Sequence, residues 1–600
     1  MHTSSFYGTR TSRYGRLTRY IVSRSVPQDG NDSTTGQDTD NEGDVVDTQA
    51  ESESDSDINS ESADSVDEDC ESLPDDDPGT ATDSDDVVMS PVTTGQWSST
   101  FGGKDLPAKF ISDHGPMILL STDARPVDYF DMFFPATLFK HICTETNKYA
   151  DQNRRLQETT VPELKAFFGL VLAMGIHRLP RLHDYWDRHW VLNVPQFAQI
   201  FSRDRFKYLW ANLHVVDNQC ALPRSDPSHD RLFKVRPVID KLRDTFAEHY
   251  SPGQNVSVDE SMVRFKGRST LKQYLPMKPI KRGFKVWTAS CACCGYCLSF
   301  QVYCGREGTQ EKGLAHRVVT DLVVPLLSHR QHIVHVDNFF TSMDLLKDLA
   351  SQDIFLCGTY RTNRKGFPRE LTDKSLLKSM KRGDSVMRHN DNTTATVWMD
   401  KRPVYAVSNA YLPTLTTVKR KNADGSSCQV SCPEIIAMYN RSMGGVDLTD
   451  QLKGSYGFNR KSKRWWFRLF FHFFDLAVNN SFILYLHTYR HNFHPPLKYR
   501  PLNQLQFRCQ LADSLVNHFT SRKPRGPRVE TQIVSLTPSG HKIQDLRKIG
   551  ITRGRCEYCT LGNGKTRRRK ETVFGCPKCR RRLCPVNCWQ KFHDSLQSPP

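Results

Sequence analysis

The sequence predicts a multidomain α+β protein, and three observations carry that reading. Its 600 residues are too many for a single core, since domains run to about 100–200 residues. Alternating β-formers are concentrated in 255–362, with helical periodicity on either side. A block of cysteine pairs closes the chain, set off by the basic, Pro-rich linker SRKPRGPRV (521–529).

Charge is polarised along the chain. The whole carries a net +16, yet residues 31–90 hold 22 Asp/Glu and no Lys or Arg, which leaves +38 on the remainder. A basic body of that size points to a polyanion, most simply nucleic acid, bound through counterion release. The acidic, Ser-rich tract has almost no aromatics and cannot bury enough apolar surface to fold. Residues 1–107 are therefore expected to be disordered, with 91–107 as linker. The tract reads as a solubilising tail, as a competitor with DNA for the basic body, or as a phosphorylation target at SDSD (54–57) and ESADSVDED (61–69).

The first 25 residues contain Arg10, Arg13, Arg16, Arg19 and Arg24 and no acid. This formally resembles a mitochondrial presequence, but a basic arm fits the rest of the chain better. No apolar secretory h-region appears there. Trp465–Leu486 is apolar enough to span a membrane, but Arg468, His472, Asp475 and Asn479 within it argue against that.

Helices dominate 108–254. Thr160-x-x-Glu163 reads as a capping box with Pro162 in the first turn, followed by Leu164, Phe167, Phe168, Val171 and Leu172, and stopped by Gly175. SRDRFKYLWANLH (202–214) is a second helix. NVSVDE, FKVWTAS, LSFQVYCG and HIVHVD then give the strands of an α/β core. From 363 to 432 Lys and Arg become frequent and short strands appear (TATVWMD, VYAVSNA), as for an insertion into that core. Helix returns over 447–490.

Four aspartates stand in three separate settings: Asp259 in NVSVDESMVRFKGR, Asp337 in HIVHVDNFFTS, and Asp447 with Asp450 in MGGVDLTDQ. The first two end runs of β-formers, so each is expected at a strand tip. The last two follow Gly444-Gly445 and open a helix, where positions three apart share a face. Hard divalent ions want oxygen ligands, and carboxylates gathered from distant sequence build such a site for two ions at a phosphodiester. Taken singly, the aspartates read as turn residues or caps: Asp447 could N-cap its helix and Asp450 could complement the dipole.

Several cations and aromatics invite a nucleic-acid reading. Arg464, Arg468, His472, Asp475 and Asn479 form one helical stripe, either a solvated face or a wall of the cleft with its arginine end on phosphate. Trp465-Trp466, beside Lys461 and Lys463, could stack on unpaired bases or belong to the core. Lys278, Lys281, Arg282 and Lys285, with Arg268, would neutralise phosphate near Asp259.

The C-terminal block contains Cys556-x2-Cys559, Cys576-x2-Cys579, Cys584-x3-Cys588 and His593. Thiolates two residues apart grip a tetrahedral Zn²⁺ from a tight turn, and seven ligands are one short of two sites. Disulfides are the poorer reading for a nuclear or cytosolic chain. The basic runs KTRRRK, which includes Arg567, Arg568 and Arg569, and Arg580-Arg581-Arg582 favour DNA, and serve equally as nuclear localisation signals. A second group, CACCGYC (291–297), has crowded cysteines and no nearby histidine, and reads as a hairpin with free thiols. Cys428 and Cys432 read as core or loop thiols.

In order along the chain, DRLFKVRPVID (230–240), DESMVRFKGR (259–268), YLPMKPIKRGFKVW (274–287), VDNFFTS (336–342) and YNRSMGGVDLTDQL (439–452) resemble the motif series of piggyBac-type transposases, over about 110–595. The resemblance implies a ribonuclease-H-like catalytic domain (255–362 and 433–456) with two Mg²⁺ held by Asp259, Asp337 and Asp447, and Asp450 close by. It implies a bipartite helical dimerisation and DNA-binding domain (108–254 and 457–530), the β-rich insertion 363–432, and a zinc domain within 531–600.

His541 occupies the place where relatives carry a histidine. As the eighth ligand it completes two Zn²⁺ in an interleaved cross-brace, whose pairing the sequence leaves open. The implied activity is cut-and-paste transposition by a nuclear homodimer. It cleaves DNA at the terminal repeats, passes through hairpins and joins at TTAA, with no organic cofactor and no membrane. The chief rival is a domesticated, transposase-derived DNA-binding protein without transposition activity. A zinc-dependent ubiquitin ligase is a third reading, separable by whether 535–600 binds an E2 enzyme or DNA.

Overall fold

The computed structural model describes residues 97–102, 110, 112–276, 278–305, 313–422, 424–492, 500–521, 541–561, 570–585 and 588–595. The acidic tract 31–90 and the basic run containing Arg567, Arg568 and Arg569 lie outside them. The chain divides into two compact units, within 1–522 and within 523–600.

The first unit begins with helices. These include α1 (Ala136–Gln152), α2 (Val161–Ile176), α3 (Arg203–Asn212) and α4 (Arg236–His249). Thr160 caps α2, its hydroxyl accepting from Glu163 N at 3.3 Å. The reciprocal half of the expected capping box is not made. Glu163 is buried and takes the guanidinium of Arg205 on α3 instead, Nε to Oε1 2.7 Å. A buried carboxylate needs a cation more than a helix start needs a second cap.

The core sheet has nine strands, among them β1 (Asn255–Arg264), β2 (Arg282–Cys291), β3 (Cys297–Val302), β4 (Ile333–Val336), β5 (Phe355–Thr359), β6 (Ser385–Asn390), β7 (Thr393–Met399) and β8 (Pro403–Ser408). In space the order runs β3-β2-β1-β4-β5-β8-β7-β6. β1, β4 and β5 are parallel; the other pairings are antiparallel. Two crossover helices, α5 (Leu314–Leu327) and α6 (Met343–Ala350), flank β4 in sequence. The segment expected as an insertion continues this sheet through β6, β7 and β8, and adds a hairpin of β9 (Leu415–Lys421) and β10 (Ser427–Pro433). Cys432 on β10 is buried.

Part of the expected linker is structured. Ser98 pairs with His389 on β6 by two backbone hydrogen bonds of 2.8 Å, covering the sheet edge there. After β10 come α7 (Glu434–Ser442), α8 (Gly445–Tyr456), α9 (Trp465–Asn492) and α10 (Gln504–Val516). The single helix expected over 447–490 is thus two, broken at Gly457.

Helix α9 is long and apolar enough to cross a membrane by composition, but 94% of its apolar window is buried inside the protein. It is the central core helix, packing on α4, α8 and α10 and on the Pro126–Asp131 helix. Its polar stripe is therefore neither solvated nor a cleft wall. Asp475 pairs with Arg508 of α10 at 3.2 Å, Asn479 accepts from Arg508 at 2.9 Å, and both are buried.

Candidate active site

Asp259 is not at a strand tip, as the alternation suggested, but midway along β1. Beyond it, Ser261–Arg264 stay paired with β2. The parallel partner β4 ends earlier, with Val258 opposite Val336. Asp259 and Asp337 are the next residues on the two strands, at the fork where β1 and β4 part. Each is largely buried. Burial pushes Asp259 up to about 6, the charges of Asp337 and Glu260 adding to it and Lys278 opposing it. Asp337 is also raised, by burial first and then by Glu260, while its Oδ1 accepts from Phe339 N at 2.9 Å. Tyr439 of α7 stands beside both: burial and the two carboxylates push its phenol up to about 12.

Helix α8 lies across β1 and β2. Ser257, Asp259 and Ser261 alternate onto one face of β1, and α8 touches that face on both sides of Asp259. A Cβ on Gly445 would stand 2.4 Å from Ser257 Oγ. Ser261 Oγ donates to Asp450 Oδ2 at 3.0 Å. Asp447, in the first turn of α8, is solvent-exposed. The structure thus brings Asp259 and Asp337 together, and brings Asp450 onto the same strand face. The four carboxylates are not drawn within 4.8 Å of one another as the cysteine and histidine clusters are.

Asp450 has a cation that the sequence reading passed over. Lys453 Nζ lies 2.7 Å from its Oδ1 and 3.1 Å from His472 Nδ1 on α9. Burial, and then the Lys453 and Arg468 charges, hold His472 well below its ordinary range. Its neutral ring therefore accepts from the ammonium. The i,i+3 spacing of Asp450 and Lys453 was the available signal; His472 came from a stripe read for another purpose.

The expected DNA contacts divide. Arg268, Lys281, Arg282, Lys461 and Lys463 are exposed, with Arg282 stacked 4.6 Å over Tyr274. Half-buried Lys278 stands 3.9 Å from Asp259 and 3.7 Å from Glu260. Lys285 is only 13% exposed and pairs with Glu260 at 2.9 Å. Arg464 donates to Trp210 O at 3.0 Å and lies 4.2 Å over Phe467. Arg468 is buried and donates to the carbonyls of Arg264, Phe458 and Arg460 and to Asn459 Oδ1, at 3.0–3.4 Å. These last three cations serve internal carboxylates and carbonyls, not phosphate. A buried guanidinium must satisfy its donors within the fold. Trp466 is buried against Phe467; Trp465 is half-buried, edge-on to Phe284.

In the second unit the eight C-terminal ligands form two groups. His541, Cys576, Cys579 and His593 converge in one, and Cys556, Cys559, Cys584 and Cys588 in the other. The groups alternate along the chain, the pairing that the sequence left open. Backbone N–H groups of Cys584 and Cys579 point at the sulfurs of Cys556 and Cys576, 3.3 and 3.4 Å away. His593 Nδ1 is 2.8 Å from the Trp589 carbonyl, which leaves Nε2 facing Cys579 Sγ at 3.5 Å. Such outer contacts orient ligands around a metal, and these soft donor sets suit Zn²⁺.

A mixed sheet with a pair of largely buried aspartates at a strand fork, and a separate unit of interleaved Cys/His groups, define an α/β protein with a carboxylate-centred site. Residues 125–482 match the family described as Transposase IS4, and the chain belongs to that family. The piggyBac resemblance is borne out. The chain is 28% identical over 487 residues to human piggyBac transposable element-derived protein 3, covering 78% of this chain and 76% of that one. It is 29% identical over 430 residues to human piggyBac transposable element-derived protein 2, covering 68% and 71%. Its fold matches the cryo-EM structure of the piggyBac transposase synaptic complex with hairpin DNA, with a TM-score of 0.61 at 24% identity, covering 80% of this chain and all of that one.

Proposed function

We propose that this protein is a cut-and-paste DNA transposase of piggyBac type, acting as a nuclear homodimer on terminal repeats and TTAA targets. The observation that carries the proposal is the pair of largely buried aspartates, Asp259 and Asp337, at the fork of β1 and β4. The strand order β3-β2-β1-β4-β5, with β1, β4 and β5 parallel, supports a ribonuclease-H-like reading of the core. The family is one of transposases, and the structural neighbour was seen with hairpin DNA.

The oxygen donors fit a hard divalent ion, because two largely buried carboxylates, each raised by burial and by the charge of Glu260, are a place where a cation relieves repulsion. Asp259, Asp337 and Asp447 would hold two Mg²⁺, with Asp450 beside them. When bound, such ions activate water and stabilise the departing oxygen of a phosphodiester. Lys278, 3.9 Å from Asp259, holds positive charge at the fork, and Lys453 orients Asp450 from below. Exposed Arg268, Lys281, Arg282, Lys461 and Lys463 are the phosphate contacts. The C-terminal unit would hold two Zn²⁺ as a cross-brace and bind the terminal repeats.

The test is Mg²⁺-dependent strand cleavage of DNA carrying the repeats that flank this gene. Asp259→Ala, Asp337→Ala and Asp447→Ala should each cut about 100- to 1,000-fold more slowly with DNA binding intact, and Asp450→Asn should be intermediate. Binding without cleavage by the wild type would favour the domesticated reading. That reading suits the curated relatives, whose names describe them as derived from transposable elements.

A further inference from the structure

The turn joining β2 to β3 holds three thiols with no part in the chemistry above. Cys291 ends β2, and Cys293 and Cys294 follow in the turn. Their sulfurs lie within 4.8 Å of one another, the same convergence as in the two C-terminal groups. Cys291 and Cys293 are 3.2 Å apart, against 3.3 Å for Cys559 and Cys588. All are free cysteines.

The thiols have neighbours that sequence proximity did not reveal. The Tyr250 hydroxyl is 3.1 Å from Cys294 Sγ and 3.7 Å from Cys291 Sγ. It is also 3.4 Å from His487 Nε2, on the far end of α9. A histidine therefore does stand near this group, contrary to the sequence reading.

The chain reversal itself needs only Gly295, at φ +73°. A tight hairpin does not require its thiols to converge on one point. Three sulfurs around one point, with a hydroxyl behind them, are a donor set for a soft d¹⁰ ion and not for Mg²⁺.

We propose that Cys291, Cys293 and Cys294 form a thiophilic metal site taking one Zn²⁺ or Cu⁺, with the Tyr250 hydroxyl hydrogen-bonded to its thiolates and His487 on the other side of that hydroxyl. The site lies under the helix that carries Asp447 and Asp450. A Cβ on Gly445 would be 3.1 Å from Cys291 O and 3.0 Å from Ala292 Cα. Thr449 Oγ1 donates to Gly295 O at 2.8 Å, and Leu448 packs on Gly295. An ion that fixes this turn fixes the seat of α8.

The experiment counts metal in the full-length protein by mass spectrometry, loading wild type and a Cys293→Ser/Cys294→Ser double variant with Zn²⁺ in one arm and Cu⁺ in the other. One equivalent fewer in the variant is expected in the arm of the ion the site takes. The C-terminal groups are untouched, so the difference stands whatever their own occupancy. Equal metal content in both arms overturns the site. Alkylation of Cys293 in the wild type alone gives a second readout that does not depend on the variant folding. The site requires at least tenfold slower labelling after loading than after stripping, and unchanged labelling contradicts it.

Discussion

Asp259 shows how one residue ties sequence, fold and chemistry. Its carboxyl is placed by strand register, and its affinity for a proton is set by burial and by Asp337. The folded protein binds this proton more tightly than the unfolded chain, because about 6 lies above the ordinary 3.8. Its unfavourable contribution is absent below about pH 3.8, grows as pH rises through about 6, and is fully present above that. Asp259→Asn should therefore stabilise the metal-free protein at pH 7, by on the order of 1–3 kcal/mol, and not at pH 4. Thermal melts of both proteins at the two pH values check this, and equal melting at pH 7 would contradict it. Arg468 makes the opposite point. A cation on a regular stripe suits a solvated face or a phosphate contact, yet its donors close the loop between α8 and α9.

At the scale of elements, α8 matters most, because it brings Asp450, with exposed Asp447 three residues before it, to a strand about 190 residues earlier in the chain. Its close approach depends on the missing side chain of Gly445, where any Cβ meets Ser257 Oγ and the backbone of 291–292. Gly445→Ala should move the helix off the sheet by up to about 1 Å and slow strand cleavage about 100-fold while far-UV circular dichroism stays unchanged. Cleavage at the wild-type rate would show that the seat is not limiting.

Much of this was legible in sequence. The helix capped by Thr160, the helix after Ser202 and the strands around Asp259 and Asp337 follow from local pattern, whereas α8 opens at Gly445, two residues before the expected Asp447. What local pattern could not supply was partners. That β1 runs past Asp259 depends on β2, that Glu163 abandons its cap depends on Arg205, and that β6–β8 extend the core sheet depends on the edge left by β5. Each is a contact between residues far apart in the chain.

At the scale of the whole molecule, a basic body, a largely buried carboxylate pair in a sheet, and a Cys/His unit with two converging ligand groups all suit work on DNA. Transposition by these parts together is what plasmid excision in cells would read out. A reporter interrupted by the repeats that flank this gene would be given wild type, Asp259→Ala or Asp337→Ala. Excision by wild type with clean TTAA repair is expected, and none by either variant. Excision that survives both substitutions, or no excision by a wild-type protein that binds the same repeats, would contradict a transposase built on this aspartate pair.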